Sequence, residues 1–407
     1  MKFAPARRAG GRHFGAAAVG LIAALALPPM APADDAPAAT TAGAQPGKPP
    51  VSAAAMAEYR RLLAEYNAVH DAYVAAGTAY WSSVGDKRKL RFSKRARNAQ
   101  VSIDDYVLTQ PPVYSGPPKP VDPSAPKQET PPAPAVPVVA DFLAAAKQEY
   151  NFTPRRPQSD IEFKRAYAPI AAAAGLTRDQ AVRIYGFEAT GNGAYDLQAG
   201  LEYNKPGARA ITTALGYNQL LATNSVELLA ESGDKFIASL AAKANGLPER
   251  EKAALQSTIA VVKTMIAFAR SVPDDWSQHE ILAGTPKGLA VHAMNLDLDV
   301  GPLLQTQKLL DSVVFARRKG YGAALTAAEL EMMNLTGDGN GFDMIVMPAD
   351  WRGQVPTTNF FQRRGYSDNP VAQRNNTVAA LLAATDAAMD QEIKKQGAKD
   401  LAAVFPK

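Results

Sequence analysis

Apolar side chains recur at intervals of three and four residues along most of the chain, the spacing that aligns them on one face of an α-helix. The first such run extends from about Ser52 to Ala76. Sustained alternation of apolar and polar residues, which indicates β-strands, does not occur. We therefore predict a mainly α fold, in which the Gly-, Tyr- and Asn-rich residues 192–213 leave room for a short β-hairpin. Further helices rich in alanine and leucine are predicted over 225–243, 302–318 and 371–394.

Capping motifs define the limits of three more helices. In a capping box, a Thr hydroxyl and a Glu or Gln side chain three residues later satisfy free backbone N–H groups at a helix start. Proline suits the first helical position, and acids after it suit the positive end of the helix dipole. The helices predicted from these motifs run from Thr177-x-x-Gln180 to near Gly191, from Thr326-x-x-Glu329 to just before Gly337, and from Pro248 to Arg270.

The first 33 residues have the features of a secretory signal peptide in the usual order. Basic residues within the first twelve positions precede an apolar run over 15–27, and small residues follow at 31–33. This run is shorter than the ~20 residues that a membrane-spanning helix needs, so we expect cleavage near Ala33 rather than a retained membrane anchor. The mature protein is then expected to be periplasmic or secreted, with no transmembrane segment.

Composition divides the rest of the chain into four parts. Residues 34–50 are predicted to be a disordered tether, because their Ala, Pro, Thr and Gly cannot bury enough apolar surface to offset the entropy of ordering. A helical segment with a basic stretch follows over 51–109. Proline dominates 110–137, which is predicted to be a linker that favours polyproline II. Residues 138–407 are predicted to form the main helical domain.

Composition and charge narrow the class of function. The chain has 407 residues, of which 47% are hydrophobic, enough for a large core. Its 44 Lys and Arg against 39 Asp and Glu give a surplus too small to indicate nucleic-acid binding, although it suits an anionic cell-wall polymer or a membrane surface. The basic stretch 87–97 is interpreted either as a contact to such a polymer or lipid, or as a solvated charged face. The absence of cysteine excludes disulfides and a cysteine nucleophile.

Glu188 departs from the pattern of its own helix. The helix that begins at Thr177 places Ala181, Ile184, Tyr185 and Glu188 on one stripe, so an acid occupies the core-facing side. Glu188 also lies in the last helical turn, where the negative end of the dipole disfavours a carboxylate. Both effects raise the pKa, as a general acid requires. The alternative is a structural acid that is bonded to a nearby amide or arginine.

Three short segments extend this argument: FEATGNGAY at 187–195, TALGYNQ at 213–219 and MNLTG at 333–337. In this order they resemble motifs of the soluble lytic transglycosylase and goose-type lysozyme group of the lysozyme-like superfamily. There, a catalytic Glu that ends a helix precedes a segment closing in Gly-Leu-Met-Gln, and a later Tyr-Asn-x-Gly element closes the cleft. The resemblance covers roughly 175–345. Ala189 and Met333 stand where that group usually has Ser and Tyr.

The resemblance implies a lysozyme-like helical domain that acts on peptidoglycan. Glu188 would protonate the glycosidic oxygen between N-acetylmuramic acid and N-acetylglucosamine, and would then accept the proton of the muramoyl 6-hydroxyl to give a 1,6-anhydro end. Hydrolysis with two carboxylates would need a second acid about 5–9.5 Å away, and Asp196, Glu202 and Glu231 are the candidates. The substrate-binding residues expected from the resemblance are Thr190, Gly193, Tyr195, Gly216, Tyr217, Gln219 and Asn334.

Other interpretations remain open at this point. A wall-binding or scaffold protein would keep the fold without activity, and its N-terminal or Pro-rich region would meet an envelope protein; an envelope protein with no glycan role is a third. The run from Gly337 to Asp343 resembles a calcium loop, but the EF-hand pattern fails when counted from Asp338, so a polar turn is expected there. The four histidines lack metal-ligand spacing. We expect neither a metal nor a cofactor.

Overall fold

The chain divides into two compact units. The computed structural model describes residues 51–125 of the first unit and residues 135–201 and 205–406 of the second. The predicted signal peptide 1–33 and tether 34–50 lie outside the described residues, as does the centre of the predicted Pro-rich linker at 126–134.

The first unit is built on one long helix, α1 (Ala53–Ala96). It begins where the sequence predicts, at Ser52, whose hydroxyl accepts a hydrogen bond from the Ala55 N–H at 3.2 Å. The prediction that it ends near Ala76 is wrong, because the helix continues through the basic stretch. The buried residues of α1, which include Gly77 and Val84, all lie in its second half.

Basic residues of α1 bind the chain that returns along it. Lys94 forms an ion pair with the Asp105 carboxylate at 2.6 Å, and Arg91 donates to the Asp105 carbonyl at 2.9 Å. The Arg91 guanidinium also lies 4.2 Å from the centre of the Tyr106 ring, and Lys87 donates to the Tyr106 carbonyl at 2.7 Å. Interpreting 87–97 as a wholly solvated face is therefore wrong, since these three side chains hold residues 105–106.

The start of the Pro-rich stretch continues along the same helix toward its N-terminus. Tyr80 donates to the Thr109 carbonyl at 3.0 Å. Further on, the Tyr114 ring packs against three aromatic rings of α1, with centroid distances of 5.3 to 6.2 Å; these are Tyr66, His70 and Tyr73. Residues 101–114 thus run antiparallel to α1, and the first part of the predicted linker is packed rather than a free spacer.

The described part of the second unit consists of α-helices joined by loops and short turns, and it contains no β-strand. Its helices are α2 (Val139–Tyr150), α3 (Asp160–Ala174), α4 (Arg178–Glu188), α5 (Ala222–Asn245), α6 (Glu249–Ala269), α7 (Trp276–Ala283), α8 (Pro286–His292), α9 (Gly301–Arg318), α10 (Ala327–Thr336), α11 (Asp338–Ile345), α12 (Arg363–Ser367), α13 (Pro370–Arg374), α14 (Val378–Glu392) and α15 (Gln396–Val404). Where the hairpin was expected, Leu215 forms isolated bridges with Gln198 and Leu220.

The capping predictions for this unit are confirmed at α4 and α10, both of which begin with the expected capping box. The helices α5, α6 and α9 also lie where predicted, with Pro248 as the residue before α6 rather than its first. Two predictions are wrong. The helix over 371–394 is broken into α13 and α14, because Thr377 caps a new start by accepting from the Ala380 N–H at 3.3 Å. The polar turn expected after Gly337 is instead helix α11.

Helix α4, which carries Glu188, lies inside the second unit. It packs against α3, α10, α14 and α15, while α5 pairs with α6 and α9 packs against α3, α5 and α10. Side chains such as Ile184 and Tyr185 of α4 are completely buried in this core. Of the helices in the described ranges, none is both long enough and apolar enough to cross a bilayer.

Candidate active site

The Thr177 capping box fixes which residues of α4 face inward. Its hydroxyl accepts from the Gln180 N–H at 3.1 Å, and the Gln180 side chain accepts from the Thr177 N–H at 2.9 Å. Glu188 is the last residue of the helix, eleven positions after the cap, and only 3% of its surface is exposed. The sequence prediction of an inward-facing acid at a helix end is confirmed.

Asn334 of α10 contacts this acid. Its Nδ2 donates a hydrogen bond to Glu188 Oε1 at 2.9 Å, across 146 positions of sequence. The same nitrogen lies 3.4 Å from Oε1 of Glu331, one helical turn earlier on α10. Glu331 is completely buried. One amide therefore links two carboxyl groups, one from each of two packed helices.

The second oxygens of the two carboxyls are the unusual feature of the site. Glu188 Oε2 and Glu331 Oε2 are both buried and receive no hydrogen bond from any protein donor. Burial raises the pKa of Glu188 well above its usual range, and the neighbouring Glu331 raises it further. Burial also raises the pKa of Glu331 to about 7, although the adjacent Glu188 carboxyl and the Asn334 amide oppose this. The pair therefore retains a proton near neutral pH, because two adjacent buried carboxylates repel each other.

One cation lies near the pair. Lys308 of α9 lowers the pKa of both Glu188 and Glu331, but burial has the larger effect on each and raises it. It acts in the same way on Glu227, where burial raises the pKa to about 7. Lys308 therefore acts on three buried acids, Glu188, Glu331 and Glu227.

The backbone after Glu188 is clamped by the last described helix. Thr190 has a left-handed backbone, with φ of 54°, and its carbonyl accepts from Lys395 at 2.9 Å. The carbonyl of Gly191 accepts from the Ala398 N–H at 2.9 Å, and the Asn192 side chain accepts from the Gly397 N–H at 3.0 Å. These bonds fix the loop 189–193 against the start of α15.

Gly193 and Gly216, which the resemblance assigns to substrate binding, have protein atoms in the space beside them. A β-carbon at Gly193 would collide with Leu197. At Gly216, where φ is 85°, it would lie 2.6 Å from Nε2 of Gln305. Both glycines therefore serve internal packing, and substrate binding by them stays a prediction.

Gln219 and its neighbours are bonded within their own part of the protein. The Gln219 side chain donates to the carbonyls of Gly216 at 2.7 Å and Leu197 at 3.2 Å. The adjacent Asn218 donates through its N–H to Gln305 Oε1 at 2.8 Å. Gln219 thus shapes the loop 213–221, and no hydrogen bond joins it to Glu188 among those described.

His292 holds the other end of that loop. Its Nε2 lies 2.8 Å from the Thr213 carbonyl, which can only accept, so Nε2 carries the proton and Nδ1 accepts from the Ser225 hydroxyl at 2.8 Å. Burial lowers the pKa of His292 to about 4, so the ring is neutral.

Tyr195 and Tyr217 are core residues. The Tyr217 ring is completely buried, and its hydroxyl donates to Asp160 Oδ1 at 2.8 Å. Tyr195 is also buried; it stacks on Phe163 at a centroid distance of 5.2 Å, and its hydroxyl accepts from Arg156 at 2.7 Å. Both rings pack within the protein, and the substrate binding that the resemblance assigns to them stays a prediction.

The structure thus brings together Glu188 and Asn334 of the predicted residues, and adds Glu331. Of the second acids considered from the sequence, Asp196 is ion-paired with Arg156, and Glu202 lies outside the described residues. A signal for Glu331 was present: three residues before Asn334, it shares that residue's helix face. No cluster of three or more His, Asp or Glu suited to a metal ion occurs within the described ranges.

Comparison with known proteins gives no relative for the chain: no protein-family model matches it, and neither the curated proteins nor the solved structures contain a match. A functional assignment therefore depends on the geometry around Glu188 and on the motifs themselves.

Proposed function

We propose that the protein is a peptidoglycan-cleaving enzyme, a lytic transglycosylase in which Glu188 is first the general acid and then the base. The observation that carries this proposal is the 2.9 Å hydrogen bond from Asn334 to Glu188. The resemblance pairs these two residues from segments far apart in sequence, and folding brings their side chains into contact. The raised pKa of Glu188, caused first by burial, suits an acid that must be protonated near neutral pH.

The spacing of the carboxyls favours one catalytic carboxyl over two. Glycosidases with two catalytic carboxyls place them about 5 to 9.5 Å apart, one on each side of the bond that is cleaved. Glu188 and Glu331 are instead within hydrogen-bonding range of each other. Glu331 is therefore too close to act as an independent nucleophile or as the base for a water molecule.

The reaction then proceeds on Glu188 alone. Its proton passes to the glycosidic oxygen as the bond from that oxygen to C1 of the muramoyl residue breaks, and the bonding electrons leave with the oxygen. The 6-hydroxyl of the same residue attacks C1, and its proton returns to the Glu188 carboxylate. The products are a free 4-hydroxyl and a 1,6-anhydro end, no water is consumed, and Glu188 is protonated again.

The substrate and its location follow from the motifs and from the N-terminal sequence. Residues 1–33 have the order of a signal peptide, which would deliver the chain to the compartment of the cell wall. Asn334, which touches Glu188, is partly exposed, so the acid lies directly beneath the surface. Glycan strands of peptidoglycan are the partner proposed for this surface.

The near-complete burial of Glu188 favours a second candidate, a non-catalytic wall-binding or scaffold protein of the envelope. In such a protein the buried pair would stabilise the contact of α4 with α10 without meeting a substrate. The packed surroundings of Gly193 and Gly216 also agree with this function, because they leave no room for a glycan there.

Digestion of purified peptidoglycan separates these candidates. The full chain, Glu188→Gln, and Glu251→Gln as a matched control on an exposed glutamate of α6 are compared by zymography and by analysis of the released muropeptides. The proposal expects clearing by the wild type and the control, none by Glu188→Gln, and 1,6-anhydro ends in the digest. Reducing ends would instead indicate hydrolysis. A wild type that binds the wall material but does not clear it would support the scaffold.

A further inference from the structure

We propose that Glu331 is a positioning residue that shares a single proton with Glu188, keeping Glu188 protonated before cleavage and making it a stronger base afterwards. This inference rests on the proposed function. It assigns Glu331 no contact with the substrate; its effect is exerted through Glu188.

The geometry of the two carboxyls supports a shared proton. Their Oε1 atoms both face Nδ2 of Asn334, at 2.9 and 3.4 Å, which sets the groups side by side. Their Oε2 atoms are buried without any protein donor. Buried polar atoms are rarely left without a partner, and one proton on the pair supplies the missing donor, since a protonated carboxyl donates and a carboxylate accepts.

The surroundings also favour a pair that carries one negative charge. Lys308 is the cation that acts on both groups, and it offsets one carboxylate rather than two. Several charged groups on α4, and on the elements that pack against α4 and α10, are bonded to other partners. Arg183 pairs with Asp386 and Asp390, Lys395 with Glu392, Asp311 accepts from Gln307, and Asp338 accepts from Ser312.

The shared proton gives each catalytic step a driving force. At rest, protonated Glu188 donates to the Glu331 carboxylate. Once Glu188 has given its proton to the leaving oxygen, two adjacent buried carboxylates remain, and their repulsion raises the proton affinity of Glu188. Glu188 therefore takes the proton of the 6-hydroxyl as O6 bonds to C1. The pair returns to its resting charge, and no proton is gained or lost overall.

The first test measures the titration of the pair directly and does not require activity. Full-length protein labelled with carbon-13 at the glutamate carboxyls is titrated by NMR as wild type, Glu331→Gln, Glu188→Gln and the Glu251→Gln control. Wild type should show two coupled steps for the pair. Glu331→Gln should lower the pKa of Glu188 by at least about one unit, a tenfold change in its protonated fraction. In Glu188→Gln the amide takes the place of a protonated Glu188, so Glu331 should keep the lower of the two wild-type steps and the upper step should be absent.

This design gives a result even if Glu331→Gln does not fold, because each carboxyl signal of a coupled wild-type pair shows both titration steps. Should Glu188 in Glu331→Gln titrate within a few tenths of a unit of the upper wild-type step, or should each wild-type carboxyl show a single step of its own, the two groups do not share a proton and the inference is overturned.

The second test uses the pH profile on peptidoglycan fragments. The alkaline limb of kcat/KM reports loss of the last proton from the pair. Glu331→Gln should move this limb to lower pH by about one unit and reduce kcat more than it changes KM, whereas Glu331→Asp should restore part of the shift. If Glu331→Gln is active and the alkaline limb of its kcat/KM profile does not shift, the shared proton is contradicted but the proposed function is not. An inactive wild type that still shows coupled titration contradicts the proposed function and leaves the shared proton intact.

Discussion

Gln305 of α9 occupies the space in which a side chain at Gly216 would have to lie, with its Nε2 2.6 Å from an ideal β-carbon. The same glutamine accepts from the Asn218 N–H and donates to the Leu215 carbonyl at 3.1 Å. The buried side chain of Gln305 thus forms hydrogen bonds with the backbone of the loop 213–221 on both sides of Gly216.

Gly216→Ala should destabilise the protein for this reason. The left-handed backbone, with φ of 85°, disfavours alanine, and the added methyl would displace Gln305. We expect a loss of at least about 2 kcal/mol in the free energy of unfolding, measured by urea denaturation. Gly322→Ala is the control, because a β-carbon there meets no atom within 4 Å. Equal stability of the two variants would show that Gln305 does not fix this loop.

Asn334→Ala should cost more stability at alkaline than at acidic pH. The Asn334 amide stabilises the charged form of Glu188 and so lowers its pKa. Its loss matters most when that form is populated, and removal of a partner from a buried charged group costs about 1–3 kcal/mol. Urea denaturation of Asn334→Ala at pH 5 and pH 8, as a single variant and together with Glu188→Gln, measures the coupling between the two residues. A penalty that is the same at both pH values, or is unchanged by Glu188→Gln, would argue against this bond.

The glutamate pair should make the protein less stable as pH rises. Burial raises the pKa of Glu331 from its ordinary 4.5 to about 7, so its contribution is fully present below about 4.5 and is lost as pH rises through 7. Relative to Glu188→Gln/Glu331→Gln, the wild type should lose unfolding free energy across this window, by up to roughly 1.4 kcal/mol per pKa unit. Chemical denaturation at several pH values checks this. Parallel curves for the two proteins would rule out the shift.

His292 should have the opposite pH dependence. Burial lowers its pKa from 6.5 to about 4, so the stability that it contributes is present above pH 6.5 and is lost as pH falls through 4. His292→Gln, which cannot gain a proton, should therefore be much less stable than wild type at pH 7 and closer to it at pH 4. Urea denaturation at both values measures the difference. A gap that widens toward acid would contradict a neutral buried ring.

Asp105→Ala should release the returning segment of the first unit from α1. The change removes the ion pair with Lys94 and the side-chain acceptor of the Ser102 N–H at 2.8 Å. Limited proteolysis should then cut within 99–110 faster than in wild type. Asp122→Ala, in a turn where the Asp122 carboxylate accepts from the N–H and hydroxyl of Ser124, is the matched control. If both variants are cut at the wild-type rate, the basic residues of α1 do not hold this segment.

Local signals in the sequence account for the parts of the site that could be predicted. The capping boxes at Thr177 and Thr326 set the phase of α4 and α10, and phase alone places Glu188 inward and Asn334 on a defined face. Glu331 follows from the same argument, because it lies one turn before Asn334. Glu331 lies outside the motif at 333–337, so the resemblance does not include it.

Contacts between distant segments account for what could not be predicted. Tyr217 is an aromatic residue in a polar, glycine-rich segment, and such a residue suits a ligand-binding position as well as a core position. Only the fold shows that Asp160, 57 positions away, accepts its hydrogen bond. The full length of α1 could not be predicted from the sequence for a similar reason. Its basic residues suggest a solvated surface, and their partner Asp105 becomes apparent only when the chain folds back.

The clamp on the loop 189–193 also has a consequence for the order in which the protein is made. Lys395 reaches Thr190 across 205 positions, and Gly397 and Ala398 bind the next two residues. A chain emerging from the ribosome therefore contains both carboxyls and Asn334 well before it contains the residues that hold the backbone beside Glu188. The backbone beside Glu188 therefore gains these hydrogen bonds only after synthesis has passed residue 398, so the acid is made before its surroundings are complete.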